Sequence, residues 1–148
     1  MNKIRLTVCA FVLAITMFLV SCDRGKTISV DMEDGGKTFV VSVNDIIKIN
    51  LPSNPSTGYM WVIMDFGEES DNNSSILKQI EDYKFTSNAG NNVVGADGIS
   101  TITFKAISIG DTGISLIYVH PWEWENGELS TFSTENGLSS FRISVEVK

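Results

Sequence analysis

Phe141-Arg142-Ile143-Ser144-Val145-Glu146-Val147 alternates apolar and polar side chains without a break. Successive side chains of a strand point to opposite faces. This stretch therefore turns Phe141, Ile143, Val145 and Val147 to one apolar face and leaves Arg142, Ser144 and Glu146 for water. The same period recurs upstream. Ile47, Ile49 and Leu51 alternate with Lys48 and Asn50, and Tyr59, Trp61 and Ile63 share a face. Ile102, Phe104 and Ala106 alternate with Thr101, Thr103 and Lys105, and Ile114, Leu116 and Tyr118 follow the same rule. Thr27 to Met32 and Thr38 to Val43 are two further strand candidates. Breakers separate the runs at Asp34-Gly35-Gly36, Asn54-Pro55, Asn72-Asn73, Asn88 to Asn92, Gly110-Asp111 and Asn126-Gly127. The pattern predicts an all-β chain of about seven to eight strands, an antiparallel β-sandwich or a small barrel. One stretch departs from it. Ser74 to Glu81, with Ile76, Leu77 and Ile80 at helical spacing, predicts a helical turn.

The first residues do not belong to this fold. Lys3 and Arg5 precede an almost purely apolar run, Leu6 to Val20. The run is short for a membrane-spanning helix, which needs about 20 apolar residues, and has the size of a signal-peptide core. Leu19-Val20-Ser21-Cys22 resembles the bacterial lipoprotein cleavage box, in which the signal is cut before the cysteine and that cysteine is acylated. The alternative is an uncut N-terminal anchor. The expected organisation is a lipoprotein signal at 1–21, a lipidated tether at 22–26 and one domain at 27–148. The resemblance makes Cys22 the lipid attachment site and the bacterial cell envelope the location, on the periplasmic face or the cell surface.

Cys9 and Cys22 are the only cysteines of the chain. With one removed and the other acylated, no disulfide and no thiol nucleophile remain in the domain. The fold must rest on its core, which about 125 residues can supply. The formal charge is −7, and losing Lys3 and Arg5 leaves 9 basic against 18 acidic side chains, near −9. A surface of that sign repels phosphate backbones and carries no basic stripe, so nucleic acid is not an expected partner.

Catalytic readings each lack a component. His120 is the only histidine, no G-x-S-x-G elbow occurs, and no second histidine completes a zinc set. The acidic groups Glu68, Glu69, Asp71 and Glu123, Glu125, Glu128 do not follow calcium-loop spacing. No metal and no other cofactor is expected.

Three loops are more informative. In Asn54-Pro55-Ser56-Thr57-Gly58-Tyr59, proline fixes its own φ and restricts Asn54, while Gly58 is free to take positive φ. The Ser56 and Thr57 hydroxyls can bond back to the turn. Taken alone, this is equally an ordinary strand connection. Gly95-Ala96-Asp97-Gly98 precedes the strand at Ile99 to Ala106. His120-Pro121-Trp122 ends another strand, and Trp122 there is either a core residue or an exposed anchor.

In this order the three loops resemble those of the chagasin-like cysteine-peptidase inhibitors. That family carries Asn-Pro-x-Thr-Gly-Tyr, then a Gly-x-Gly-Gly-like loop, then Arg-Pro-Trp. The resemblance covers roughly Lys26 to Lys148. It implies an immunoglobulin-like sandwich, and a reversible, non-covalent inhibitor that pushes three loops into the cleft of a papain-like cysteine peptidase. By the same resemblance, Asn54 to Gly58 would cover the catalytic cysteine and histidine with Thr57 nearest. Pro121 and Trp122 would pack on the primed-side wall, and Gly95 to Gly98 would reach the opposite wall. The chain would act as a monomer, with the peptidase as its protein partner and the membrane held through the N-terminal lipid. It departs from the family at His120, which stands for arginine and exchanges a permanent charge for a titratable one. It departs again at Asp97, where the family has glycine. Glu123 to Ser139 is long for the last connection, and Trp124 within it would enlarge the contact. The competing expectations are a lipid-anchored carbohydrate-binding or adhesion sandwich, with Trp61, Trp122 and Trp124 as stacking platforms, and an accessory subunit of an envelope complex.

Overall fold

Burial follows the alternation closely. Ile47, Ile49 and Leu51 are fully buried, as are Ile114 and Leu116, and Phe141, Ile143, Val145 and Val147 are nearly so. Fully burying one such aliphatic side chain stabilises the fold by about 1.5–3 kcal/mol. The computed structural model describes residues 25–65, 76–89, 95–125, 128–129 and 139–148. The signal segment, Cys22, Ser74 and most of the Glu123–Ser139 connection lie outside the described residues.

Ten strands occur among the described residues. They are β1 (Thr27–Asp31), β2 (Thr38–Val41), β3 (Ile46–Ser53), β4 (Met60–Asp65) and β5 (Leu77–Ser87), then β6 (Gly98–Ala106), β7 (Gly110–Val119), β8 (Trp124–Glu125), β9 (Glu128–Leu129) and β10 (Ser139–Val147). Eight of them build two four-stranded sheets, in the orders β1-β3-β6-β5 and β2-β10-β7-β4, while β8 and β9 pair with each other. The result is the expected immunoglobulin-like sandwich. In the first sheet Ile47 lies opposite Phe104 and Ile49 opposite Ile102. In the second, Ile143 faces Ile114 and Phe141 faces Leu116. These apolar faces meet in one core that also takes in Val30, Val41, Trp61 and Leu77.

All pairings within the two sheets are antiparallel except those at one side of the sandwich. There β1 lies parallel to β3, and β2 lies parallel to β10. Asp31 caps a single 3-10 turn at Met32–Asp34, and the chain crosses there from one sheet to the other. The strand candidates therefore end earlier than alternation indicated, at Asp31 and at Val41.

The helical turn expected over Ser74 to Glu81 does not form in the described part. From Leu77 on, the chain is strand β5, paired with β6. The pairing slips between Gln79 and Glu81 and again between Glu81 and Lys84. A bulge adds a residue and reverses the facing pattern beyond it. Leu77 is fully buried and Ile76 packs against the core, whereas Ile80, at the slip, is 40% exposed. The three apolar residues at helical spacing thus share no face: Leu77 turns inward, Ile76 packs on the core just before the strand, and Ile80 faces out.

Candidate functional site

Strand direction gathers the three loops. β3, β5 and β7 all run toward the same pole, so the connections after Ser53, Ser87 and Val119 emerge there side by side. The opposite pole holds the start of β1, the β2–β3 turn and the β6–β7 turn.

The first loop is a single 3-10 turn, Pro55–Thr57, locked at both ends. Asn54 Oδ1 accepts from Ser56 N at 3.2 Å. The Thr57 amide and hydroxyl both donate to the Asn54 carbonyl, at 3.1 and 2.7 Å. Gly58 closes the turn at φ 84°, a left-handed conformation that a side chain would strain. The loop is also fastened below, because Asn54 N donates to the Tyr118 hydroxyl at 2.8 Å. Pro55, Ser56 and Thr57 form its exposed tip.

The second loop is tied to the first. Asn54 Nδ2 donates to Asp97 Oδ1 at 2.8 Å and to the Gly95 carbonyl at 3.2 Å. The side chain at Asp97, where the family has glycine, thus bridges two loops. Gly95 takes φ 85°. Gly98 is buried, and a Cβ there would lie 2.3 Å from the Thr86 carbonyl, so no other residue fits. Asp97→Ala should leave Asn54 held to this loop by the Gly95 carbonyl alone. A lost exposed hydrogen bond of this kind costs about 0.5–1.5 kcal/mol. The expected result is faster amide exchange at Asn54 to Gly58 with little change in melting temperature, and unchanged exchange would show that the bridge does not order the loop.

The third loop rests on a column of rings. Trp61 is 4% exposed, and its indole N–H donates to the Pro52 carbonyl at 2.9 Å. Tyr118 lies 5.2 Å from Trp61 between ring centres, Tyr59 lies 5.5 Å from Tyr118, and His120 lies 3.8 Å from Tyr59. Trp122 ends the column, stacked on His120 at 4.6 Å and 14°. It is 70% exposed. A 3-10 turn over Pro121–Glu123 carries it outward. Gly58 lies against the same rings, since a Cβ there would stand 3.2 Å from His120 and 3.3 Å from Trp122.

His120 has an acceptor on each side. Its Nε2 is 3.4 Å from the Thr57 carbonyl and its Nδ1 is 3.4 Å from Glu123 Oε2. The residue that stands where the family has arginine therefore sits within the loop cluster and joins its first and third members.

Every loop residue singled out in the sequence reaches this pole, in different roles. Pro55, Ser56, Thr57, Gly95, Asp97, Pro121 and Trp122 are exposed, while Asn54, Gly58, Tyr59, Ala96 and His120 are half-buried and Gly98 supports from beneath. Tyr118 is the residue that sequence reasoning missed. Its place on the apolar face of β7, near the strand end, was a usable signal, because a buried tyrosine needs a partner for its hydroxyl. The stacking platforms of a carbohydrate-binding surface do not assemble, since Trp61 is in the core and Trp124 is half-buried. Among the described residues, no three His, Cys, Asp or Glu side chains are placed to hold a metal ion.

Comparisons with known proteins agree with this architecture. Chagasin of Trypanosoma cruzi is 29% identical over 98 residues, which cover 66% of this chain and 86% of chagasin. Amoebiasin-2 of Entamoeba histolytica is 36% identical over 86 residues, 58% of this chain and 64% of that protein. The crystal structure of the cysteine protease inhibitor EhICP2 from Entamoeba histolytica superposes with a TM-score of 0.60 at 27% identity, over 83% of this chain and 96% of that one. Residues 40–135 match the family described as chagasin family peptidase inhibitor I42, a span that takes in all three loops. On that match, carried on a two-sheet sandwich with its loops gathered at one pole, this chain belongs to the chagasin family of peptidase inhibitors.

Proposed function

We propose that the chain inhibits papain-like cysteine peptidases reversibly, by inserting the Asn54–Tyr59, Gly95–Gly98 and His120–Trp122 loops into the active-site cleft. As a member of an inhibitor family it is a binding protein and not an enzyme. The observation that carries the reading is Trp122, a large aromatic side chain held 70% exposed beside a capped, rigid turn. Exposed aromatics of this kind are the usual anchors of protein interfaces. The 3-10 turn at Pro55–Thr57 is not an extended strand, so it fills a cleft without laying out a peptide carbonyl as a substrate does. Its internal hydrogen bonds exist before binding, which lowers the ordering cost of association. An interface of ordinary size, about 1,600 Å², then suffices without a covalent step. The test is hydrolysis of a small peptide substrate by papain with increasing amounts of the full chain. Saturable inhibition, reversed on dilution, is expected, and full papain activity at excess protein would reject the reading.

The same proposal places the inhibitor on a bacterial cell envelope through acylation of Cys22. The support is the signal-like run Leu6 to Val20 ending in Leu19-Val20-Ser21-Cys22. Full-length protein should partition into the detergent phase with its N-terminus cut at Cys22. Cys22→Ala should stay unprocessed. A parent chain that partitions equally into detergent with its N-terminus uncut would show a plain membrane anchor instead.

A further inference from the structure

The pole opposite the loops carries apolar side chains that neither the core nor the inhibitor loops use. Ile109 is 71% exposed and Ile107 is 41% exposed, both in the β6–β7 turn. The turn is held in place. Ile107 N donates to the Ile76 carbonyl at 2.9 Å, and the Ala106 carbonyl accepts from Asn44 N at 2.8 Å. Ile76 packs beneath, so close to Gly110 that a Cβ there would lie 2.8 Å from its Cδ1.

The N-terminal segment is pinned to the same pole. Lys26 N donates to Asp45 Oδ1 at 2.7 Å, and Ser42 N donates to the other oxygen of that carboxylate at 2.8 Å. Ile46 N donates to the Lys26 carbonyl at 2.8 Å. Gly25 lies against the Asn44 backbone, where a Cβ would overlap the carbonyl. Only Asp23 and Arg24 separate Gly25 from Cys22. At about 3.3–3.6 Å per residue, the four steps from Cys22 to Lys26 reach at most about 14 Å. The turn lies two strands from this exit, because β1, β3 and β6 are neighbours in one sheet. At about 4.8 Å per strand, that is a lateral offset of about 10 Å. A tether this short holds the pole within reach of whatever surface holds Cys22. The exposed charges around the turn are of both signs, Lys26, Asp111 and Lys148, so no single-sign field repels it from a lipid surface.

We infer that the β6–β7 turn, with Ile107 and Ile109, is a lipid-contacting surface that seats this pole on the bilayer and holds the three loops facing away from it. The inference rests on the acylation of Cys22 proposed above. It goes further in assigning a second point of contact and a fixed orientation.

The test uses the full acylated chain with one added cysteine, Ile109→Cys, labelled with the environment-sensitive dye NBD. Asn88→Cys, exposed at the loop pole, is the reference. Both are reconstituted with phosphatidylcholine–phosphatidylglycerol vesicles, and flotation is measured alongside fluorescence. The expected result is a blue shift and a several-fold rise in emission at position 109, with quenching by nitroxide-labelled lipid. Position 88 should keep its emission in water and be quenched by iodide. Protein that floats with the vesicles while position 109 behaves like position 88 overturns the lipid contact and leaves the anchor standing. Protein that fails to float overturns the anchor and the contact together. A blue shift at position 109 that needs no vesicles and grows with protein concentration assigns the turn to a second copy of the chain, and overturns the lipid contact as well.

Discussion

Trp122→Ala is expected to leave the melting temperature nearly unchanged while weakening the complex with a papain-like peptidase by about 2–4 kcal/mol, the range of an aromatic hot spot. At about 1.4 kcal/mol per tenfold, that is a loss of roughly thirty- to several-hundred-fold in the inhibition constant. The separation of the two effects comes from the 70% exposure of the indole, which leaves little burial to lose in the free protein. His120 loses one stacking neighbour but remains against Tyr59 at 3.8 Å. Trp61→Ala is the contrasting case. That ring is 4% exposed and its N–H bonds to the Pro52 carbonyl, so truncation removes core packing together with that hydrogen bond. The expected cost is about 3–5 kcal/mol of stability. Melting curves and inhibition constants for both variants decide the matter. A destabilised Trp122→Ala, or one that inhibits as well as the parent, would remove Trp122 from the binding surface.

Thr57→Trp should abolish most inhibition through steric exclusion. Thr57 stands at the exposed tip of the first loop, and its hydroxyl donates back into the turn at 2.7 Å. An indole there has open solvent in the free protein but, in the binding mode proposed above, would meet the cleft floor in the complex. Overpacking a fitted contact costs about 1–3 kcal/mol, and more when neither side can move. The hydrogen bonds from Asn54 to Tyr118 and Asp97 leave this loop little room to give way. Thr57→Ala removes only the hydroxyl bond, so its effect should be near 1 kcal/mol. The informative measurement is therefore the ranking. A tryptophan variant that inhibits as well as the alanine variant would place Thr57 outside the contact.

How much of this was legible depends on what each residue's neighbours in the chain reveal. Alternation is a local property, so it located seven strands and most of the core from runs such as Ile47 to Leu51 and Phe141 to Val147. It failed at Ile76, Leu77 and Ile80, where the strand begins only at Leu77 and Ile80 falls on the outer face at a slip in the pairing, so their helical spacing marks no shared face. The convergence of the loops followed from strand order, which the sequence revealed only through its resemblance to a known family. Trp122 could not be assigned to core or surface from the chain alone. Its exposure depends on the 3-10 turn of Pro121–Glu123 and on the ring column beneath it, in which Trp61 and Tyr118 come from two strands and Tyr59 from the loop before β4. Asp97 read as a departure from the family pattern. Its partner, Asn54, is 43 positions away in the chain, and no local rule links them.

The parallel pairing of β1 with β3 has a mechanical meaning. A chain held at Gly25 and seized at the opposite loops is stretched along the strand axis, with β1 drawn one way and β3, leading into Asn54, drawn the other. Their pairing runs from Thr27 beside Ile46 to Asp31 beside Asn50. Tension in that direction loads the whole ladder in shear, so its bonds must yield together. Pulling between Gly25 and Lys148, which lie at the same pole, peels β1 away one bond at a time. The first direction should therefore need the larger rupture force. It is also the direction in which a departing peptidase would drag on an inhibitor tethered by its N-terminus.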